Sequence, residues 1–377
     1  MKILILNPML YTAENYPVPK VKSIKDCMIC SLCMAFQSLG HTVTLIAAKD
    51  YQPEILEDYG FNIIFMKAGL KKIFPIAFPF LFQLPAYLKK EGKSFDLIIS
   101  SEVFAAHSLF SVIFCKKNTL VWQELNAHNR MFHKIPSKIW YNIIGRLFFK
   151  NTLIIPRSEP AYHFIRQFCS AVSPIPVDHG VDLEKFTYQE KKEKQFIVAS
   201  QLIKRKNIEY IIRQFSGFIQ KCLNENYCLL IAGRGPEENY LKSLVRELNV
   251  ESSVHFMGFL NHYELNKQIS QSIAFLIATT KDLNMVSIPE SIVSGTPILS
   301  NNVPALSSYI TKNCLGICKD NWGINELKLM VEEQQKFSIN CIQKRDELSS
   351  KNSAKEMIEI YQKCNKKYSQ RASPQIE

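Results

Sequence analysis

Short apolar, β-branched runs alternate with longer helical patterns along the whole chain. In the first half, runs at residues 2–7, 42–47, 61–66, 96–100, 119–123 and 152–156 predict strands, separated by helical stretches such as 23–39 and 102–114. Residues 173–180 read Ser-Pro-Ile-Pro-Val-Asp-His-Gly and predict a linker. The alternation then restarts, with strands at 195–200, 227–232, 253–257, 273–278 and 297–300 and helices at 208–223, 237–248 and 263–270. Strands apolar along their length, joined by helical crossovers, imply parallel sheets covered on both faces. The predicted fold class is therefore α/β, with two doubly wound parallel-sheet domains facing a central cleft. Their expected bounds are 1–176 and 177–352, followed by a C-terminal helix from 353 packing back on the first domain and a tail frayed over 366–377.

Composition narrows the function. With 377 residues and 47% hydrophobic content, the chain is long and apolar enough for two or three cores, and wholesale disorder is excluded. Lys and Arg number 46 against 34 Asp and Glu, and residues 1–180 alone hold 20 against 12. Such a balance points to anionic partners. No recognition helix, zinc finger or RNP-like stretch appears, so nucleic acid is not among the expected partners. The apolar N-terminal run is too short for a signal peptide, and a cytoplasmic, reduced protein is expected despite 11 cysteines. Cys27, Cys30 and Cys33 form C-x2-C-x2-C, an iron–sulfur pattern without its fourth ligand. At that spacing the same thiols also stack as small apolar groups on a helix. Residues 73–88 are uncharged and flanked by Lys71, Lys72, Lys89 and Lys90. They are too short to span a bilayer, which leaves an interfacial membrane contact or a buried element.

Candidate chemistry concentrates in the second half. The strand at 195–200 runs into a loop carrying Gln201, Lys204, Arg205 and Lys206. Cations beyond the carboxyl end of a strand in a doubly wound sheet suit an anionic ligand. Next comes Ala232-Gly233-Arg234-Gly235-Pro236-Glu237, a strand and a glycine turn that either admits a ligand or simply turns tightly. Third, Asp282 and Glu290 stand eight positions apart around Asn284, Met285, Val286 and Ser287, and Gly295-Thr296-Pro297 follows. Ser287-x-x-Glu290 is also a capping-box pattern, so Glu290 has a purely structural alternative. Between these lies His255-Phe256-Met257-Gly258-Phe259.

The order and spacing of these segments, with Val177-Asp178-His179-Gly180-Val181-Asp182-Leu183-Glu184-Lys185-Phe186 ahead of them, resemble the C-terminal domain of family 4 retaining glycosyltransferases. That family, the glycosyl transferases group 1, uses nucleotide sugars and has the GT-B fold. The resemblance covers residues 173–310, and Ser38-Leu39-Gly40-His41-Thr42-Val43 adds a weaker match in the first half. It implies that Lys206, with Arg205 and Gln201 nearby, meets the donor diphosphate and that Glu290 meets the ribose. Asp282 would meet the sugar, with Asn284–Ser287, Met257, Gly233 and Gly235 completing the donor site. The co-substrate would be a nucleoside diphosphate sugar, with no resident cofactor. The acceptor would be a glycan or a lipid-linked sugar of surface polysaccharide assembly such as capsule or lipopolysaccharide. The basic excess of the first half, with Lys71, Lys72, Lys89 and Lys90, separately points to peripheral contact at the anionic inner face of the plasma membrane.

Several positions depart from the family pattern. Asp282 stands where Glu is usual, Gln201 where Arg is usual, and Gln123-Glu124 where many relatives carry His-Glu. Gln123, Glu124, His107 and His128 are the candidates for donor-sugar or acceptor contacts. No D-x-D occurs, so no metal site of the GT-A type is expected. Two other readings stay open. One is a catalytically degenerate nucleotide-sugar-binding scaffold, motivated by those departures; the other is a sugar-nucleotide epimerase of the same fold.

Overall fold

A computed structural model of the chain describes residues 1–11, 23–25, 27–55, 57–70, 79–129, 131–221, 225–281 and 285–372. The chain divides into two units, Met1–Gly180 with Ser350–Glu377, and Val181–Ser349.

In the first unit the strands are β1 (Lys2–Leu6), β2 (Thr42–Ala48), β3 (Asn62–Met66), β4 (Ala68–Gly69), β5 (Phe80–Leu81), β6 (Leu97–Ser101), β7 (Thr119–Gln123) and β8 (Leu153–Pro156). Six of them form a parallel sheet in the order β3-β2-β1-β6-β7-β8. The pair β4–β5 is a separate antiparallel ribbon that the sequence reading missed. Ile3, Leu4, Ile5 and Leu6 of β1 are essentially inaccessible, as a strand covered on both faces requires.

The second unit repeats the design with β9 (Gln195–Ala199), β10 (Cys228–Ala232), β11 (Val254–Gly258), β12 (Ala274–Leu276), β13 (Ile298–Ser300) and β14 (Gly316–Cys318), ordered β11-β10-β9-β12-β13-β14. Once the ribbon is set aside, both sheets have the 3-2-1-4-5-6 order of a Rossmann sheet. In each, the strand order reverses beside the first strand, so the ends of β1 and β6, and of β9 and β12, mark the places where such sheets receive ligands.

The divide falls between Gly180 and Val181, inside the segment read from sequence as one motif. Trp122 Nε1 donates to the Val177 carbonyl (2.7 Å) and Val177 N–H to Pro156 O (2.8 Å), fixing the front of the motif to the first sheet. Its rear is held by Val181 N–H on Leu348 O (2.8 Å) in the second unit. The final helix, Ser350–Ala372, lies against the helix Met28–Ser38 of the first unit. It continues well past the expected start of fraying at 366, and residues 373–377 lie outside the described set.

Cys30 and Cys33 are fully buried on Met28–Ser38, where they act as core residues. Among the described residues, no group of three or more His, Cys, Asp or Glu side chains is placed to hold a metal. Within 73–88, Leu81, Leu84 and Leu88 are buried in the core, whereas 73–78 lie outside the described residues. No described helix is long and apolar enough to cross a membrane.

Candidate active site

In the second unit the chain leaving β9 crosses the chain leaving β10. Ser200 N–H donates to Ala232 O (3.0 Å), Leu202 N–H to Arg234 O (3.0 Å) and Gly233 N–H to Gly258 O (2.7 Å), which stitches three strand ends together. This crossing explains both glycines. A Cβ on Gly233 would lie 1.9 Å from the Ser200 carbonyl oxygen, and one on Gly235 would lie 2.3 Å from that of Leu202. The turn is therefore glycine because backbone meets backbone, and no ligand is needed to account for it. Gly233→Ala, with φ at +132° as well, is expected to destabilise the unit by about 3 kcal/mol or more. A thermal-denaturation midpoint within a degree of wild type would refute that reason.

Lys206 closes the 3₁₀ turn Lys204–Lys206 just beyond β9, and Asn207 after it takes the left-handed conformation (φ 52°). The turn is tied across the switch point to the loop after β12. Arg205 O accepts from Thr280 N–H (2.8 Å) and from the Thr279 hydroxyl (3.1 Å). Lys206 and Arg205 are half-buried and Gln201 is exposed. Asp282 and Asn284, which follow β12 in sequence, lie outside the described residues.

Met285 is buried, Val286 exposed and Ser287 half-buried at the start of the helix Ser287–Val293. Glu290 on that helix is only 8% exposed. The capping-box alternative fails, because no side-chain bond caps this helix. The Glu290 carboxyl has no hydrogen-bond partner among the described residues, and burial pushes its pKa up to about 8. At β11 the register slips so that Ala232 pairs with Gly258, leaving Met257 as the extra residue of a bulge, 37% exposed at the strand end.

The first unit carries a different set of charges at the ends of β6, β7 and β8. Glu102, which the sequence reading did not single out, follows β6 in the left-handed conformation (φ 65°). Its carboxylate accepts from Glu124 N–H (2.7 Å) and Leu125 N–H (3.2 Å), pinning the loop after β7. Burial and the Glu124 charge push it up to about 8. Arg157 follows β8, equally unforeseen. It pairs with Glu124 and Asp178, donates to His179 Nδ1 (2.9 Å) and lies over the Trp122 ring. Asp178 is held well below the usual carboxylate range by Arg157 and His179, against the cost of burial.

Of the four candidates here, only Glu124 is exposed at the strand ends. Gln123 is inaccessible: its Oε1 accepts from Val103 N–H (3.0 Å) and its Nε2 donates to Leu125 O (2.9 Å). Its amide is spent on the protein, which corrects the expected sugar contact. His107 is buried with Nε2 on Ser101 O (2.8 Å), and burial lowers it to about 4. His128 sits among the rings of Tyr141, Phe164 and Phe168, with Nδ1 on the Ser137 hydroxyl. Both histidines pack as structural groups. A polar residue closing an apolar strand was the available signal, and it did not distinguish a core amide from a ligand contact.

Comparison with known proteins bears on the family of the second unit and on the fold of the chain. The family model of glycosyl transferases group 1 matches residues 182–335. Alpha-monoglucosyldiacylglycerol synthase of Streptococcus pneumoniae is 25% identical over 197 residues, 48% of this chain and 44% of that protein. The O-antigen biosynthesis glycosyltransferase WclY of Escherichia coli is 24% identical over 253 residues, 60% of this chain and 67% of its own. The chain thus spans less than half the length of the first of these relatives. Among solved structures, Anabaena Alr3699/HepE in complex with UDP superimposes with a TM-score of 0.66 at 14% identity, over 95% of this chain and 99% of that one. At that identity the likeness speaks for the fold. Residues 182–335 are therefore a glycosyl transferases group 1 domain, carried in a chain with the GT-B fold.

Proposed function

We propose that the chain is a retaining, metal-independent glycosyltransferase. It would move a hexose-type sugar from a nucleoside diphosphate donor to a glycan or lipid-linked acceptor. The observation that carries this is a cationic turn after β9 and, on the helix that follows the neighbouring strand β12, a buried carboxyl that has no protein partner among the described residues. Doubly wound sheets bind ligands there, and a nucleoside diphosphate supplies both a diphosphate for Lys206 and Arg205 and ribose hydroxyls for Glu290. Met257, Met285, Val286 and Ser287 would line the nucleotide. Asp282 and Asn284 belong to the same loop by sequence and would meet the sugar and phosphates.

The chemistry follows from the leaving group. As the bond from the anomeric carbon to the phosphate oxygen breaks, negative charge grows on the diphosphate, where Lys206 stabilises it. The acceptor oxygen bonds to the same face of that carbon, and its proton passes to the departing phosphate oxygen. This needs neither the paired carboxylates of a glycosidase nor a bound cation. Glu124, Glu102 and Arg157 at the strand ends of the first unit would orient the acceptor. The O-antigen and glucosyldiacylglycerol enzymes among the relatives support an acceptor of surface polysaccharide or glycolipid type, met on the cytoplasmic side.

The test is turnover of UDP- and GDP-sugars with such acceptors, followed by NMR of the product. An unchanged anomeric configuration and full activity in EDTA are expected; inversion, or loss of activity restored by Mg²⁺, would overturn the respective part. The family's usual His is replaced by Gln123, and this favours one rival, a donor-binding scaffold. Thermal stabilisation by a donor without turnover of any would select it.

A further inference from the structure

The helix over residues 135–148, absent from the sequence reading, is apolar on both sides. It runs as Ile135–Ile139, a π-helical stretch Trp140–Gly145, and Arg146–Phe148. Its inner row is Ser137, Tyr141 and Gly145, with Phe149 just beyond, all buried, and the two rings belong to one core cluster of the first unit. Its outer row is Ile135, Ile139, Ile143 and Leu147, exposed at 57%, 54%, 52% and 68%. Residues four apart on an α-helix drift by about 40° per step. The wider π turns lessen that drift, so the four outer side chains stay in one row about 20 Å long.

Surface helices usually turn polar residues outward. Here the exposed row is apolar, and the polar positions beside it are cationic. Over residues 131–156 there is no Asp or Glu, and the four cations Lys134, Lys138, Arg146 and Lys150 are all exposed. The patch continues onto the helix Ala106–Cys115, which contacts Arg146–Phe148 and adds exposed Ile113 (49%), followed by exposed Lys116 and Lys117.

We infer that this face docks the chain on an anionic lipid bilayer, with the helix lying in the interface. An apolar row rimmed by cations with no acid matches a surface that is hydrocarbon below and phosphate above. A protein partner would need to supply a matching acidic rim. A second copy of this face would oppose like charges. The inference is independent of the proposed reaction.

The test is co-sedimentation of the full chain with vesicles of phosphatidylcholine, alone and mixed with phosphatidylglycerol. Wild type is expected to bind the mixed vesicles and to be released by high salt. Ile139→Glu/Ile143→Glu should fall to the level seen with phosphatidylcholine alone. Lys138→Ala/Arg146→Ala should bind about 25-fold more weakly, about fivefold per cation. All substituted side chains are exposed, so melting temperatures and turnover of a soluble acceptor should be unchanged. Three outcomes overturn the inference: no binding by wild type, full binding by Ile139→Glu/Ile143→Glu, or a wild-type dimer that this pair converts to monomer.

Discussion

Glu290→Gln is expected to lose about 10- to 100-fold in kcat/KM for the donor while folding at least as stably as wild type. The loss follows from replacing a carboxylate, which in the proposed site would accept from two ribose hydroxyls, by an amide with one acceptor; hydrogen bonds to charged groups contribute about 1.5–3 kcal/mol. The stability follows from burial. Glu290 is 8% exposed and caps nothing, and burial alone raises its pKa to about 8. Between the ordinary carboxyl value and about 8, the folded chain holds a proton that the unfolded chain has released. Stability contributed by this site is therefore full at low pH and declines as pH rises through that window. Each pKa unit is worth about 1.4 kcal/mol, so wild type should lose several kcal/mol by pH 9 that the amide variant keeps. Ribose hydroxyls favour the ionised form, so donor affinity should rise with pH toward 8 in wild type and stay flat in Glu290→Gln. A variant with unchanged kcat/KM, or one that melts well below wild type at pH 9, would return Glu290 to a structural role.

The sequence exposed the sheets far better than the charges at their ends. Strands such as Ile3–Leu6 are legible because a strand buried on both faces must be apolar along its length. β14, three residues of Gly-Ile-Cys, is too short to register as a run. The helix at 135–148 was hidden for the opposite reason. With apolar residues on both faces it shows no helical periodicity, and Pro136, which stands in its first turn, reads as a breaker. In the second unit, motif order picked out Lys206 and Glu290, which follow β9 and β12, neighbouring strands of the sheet. Glu102 and Arg157 are single charges with no motif around them. They become notable only when β6, β7 and β8 align as neighbours, which is tertiary information. Asp178 and His179, read as part of a donor-domain motif, instead pair with Arg157 in the first unit.

Lys206→Ala is expected to lower kcat by about 10²- to 10³-fold, the range seen when one preorganised donor to a developing anion is removed. The effect should fall mainly on kcat, because charge accumulates on the diphosphate as the sugar departs and is smaller in the bound donor. The turn that carries Lys206 is preorganised by its backbone: Lys206 N–H donates to Ile203 O (2.9 Å), and Arg205 O is held by Thr279 and Thr280. These bonds are made by the backbone and survive truncation of the lysine side chain, so the turn should keep its conformation. Lys206→Arg separates charge from position. It keeps the cation but presents a planar fork in place of a compact ammonium, so partial rescue is expected. Full rescue would mean that only net charge near the diphosphate matters, with Arg205 and Lys204 able to share the task. A kcat within threefold of wild type for Lys206→Ala, at unchanged stability, would remove this lysine from the reaction and leave the cationic turn as a solvated surface.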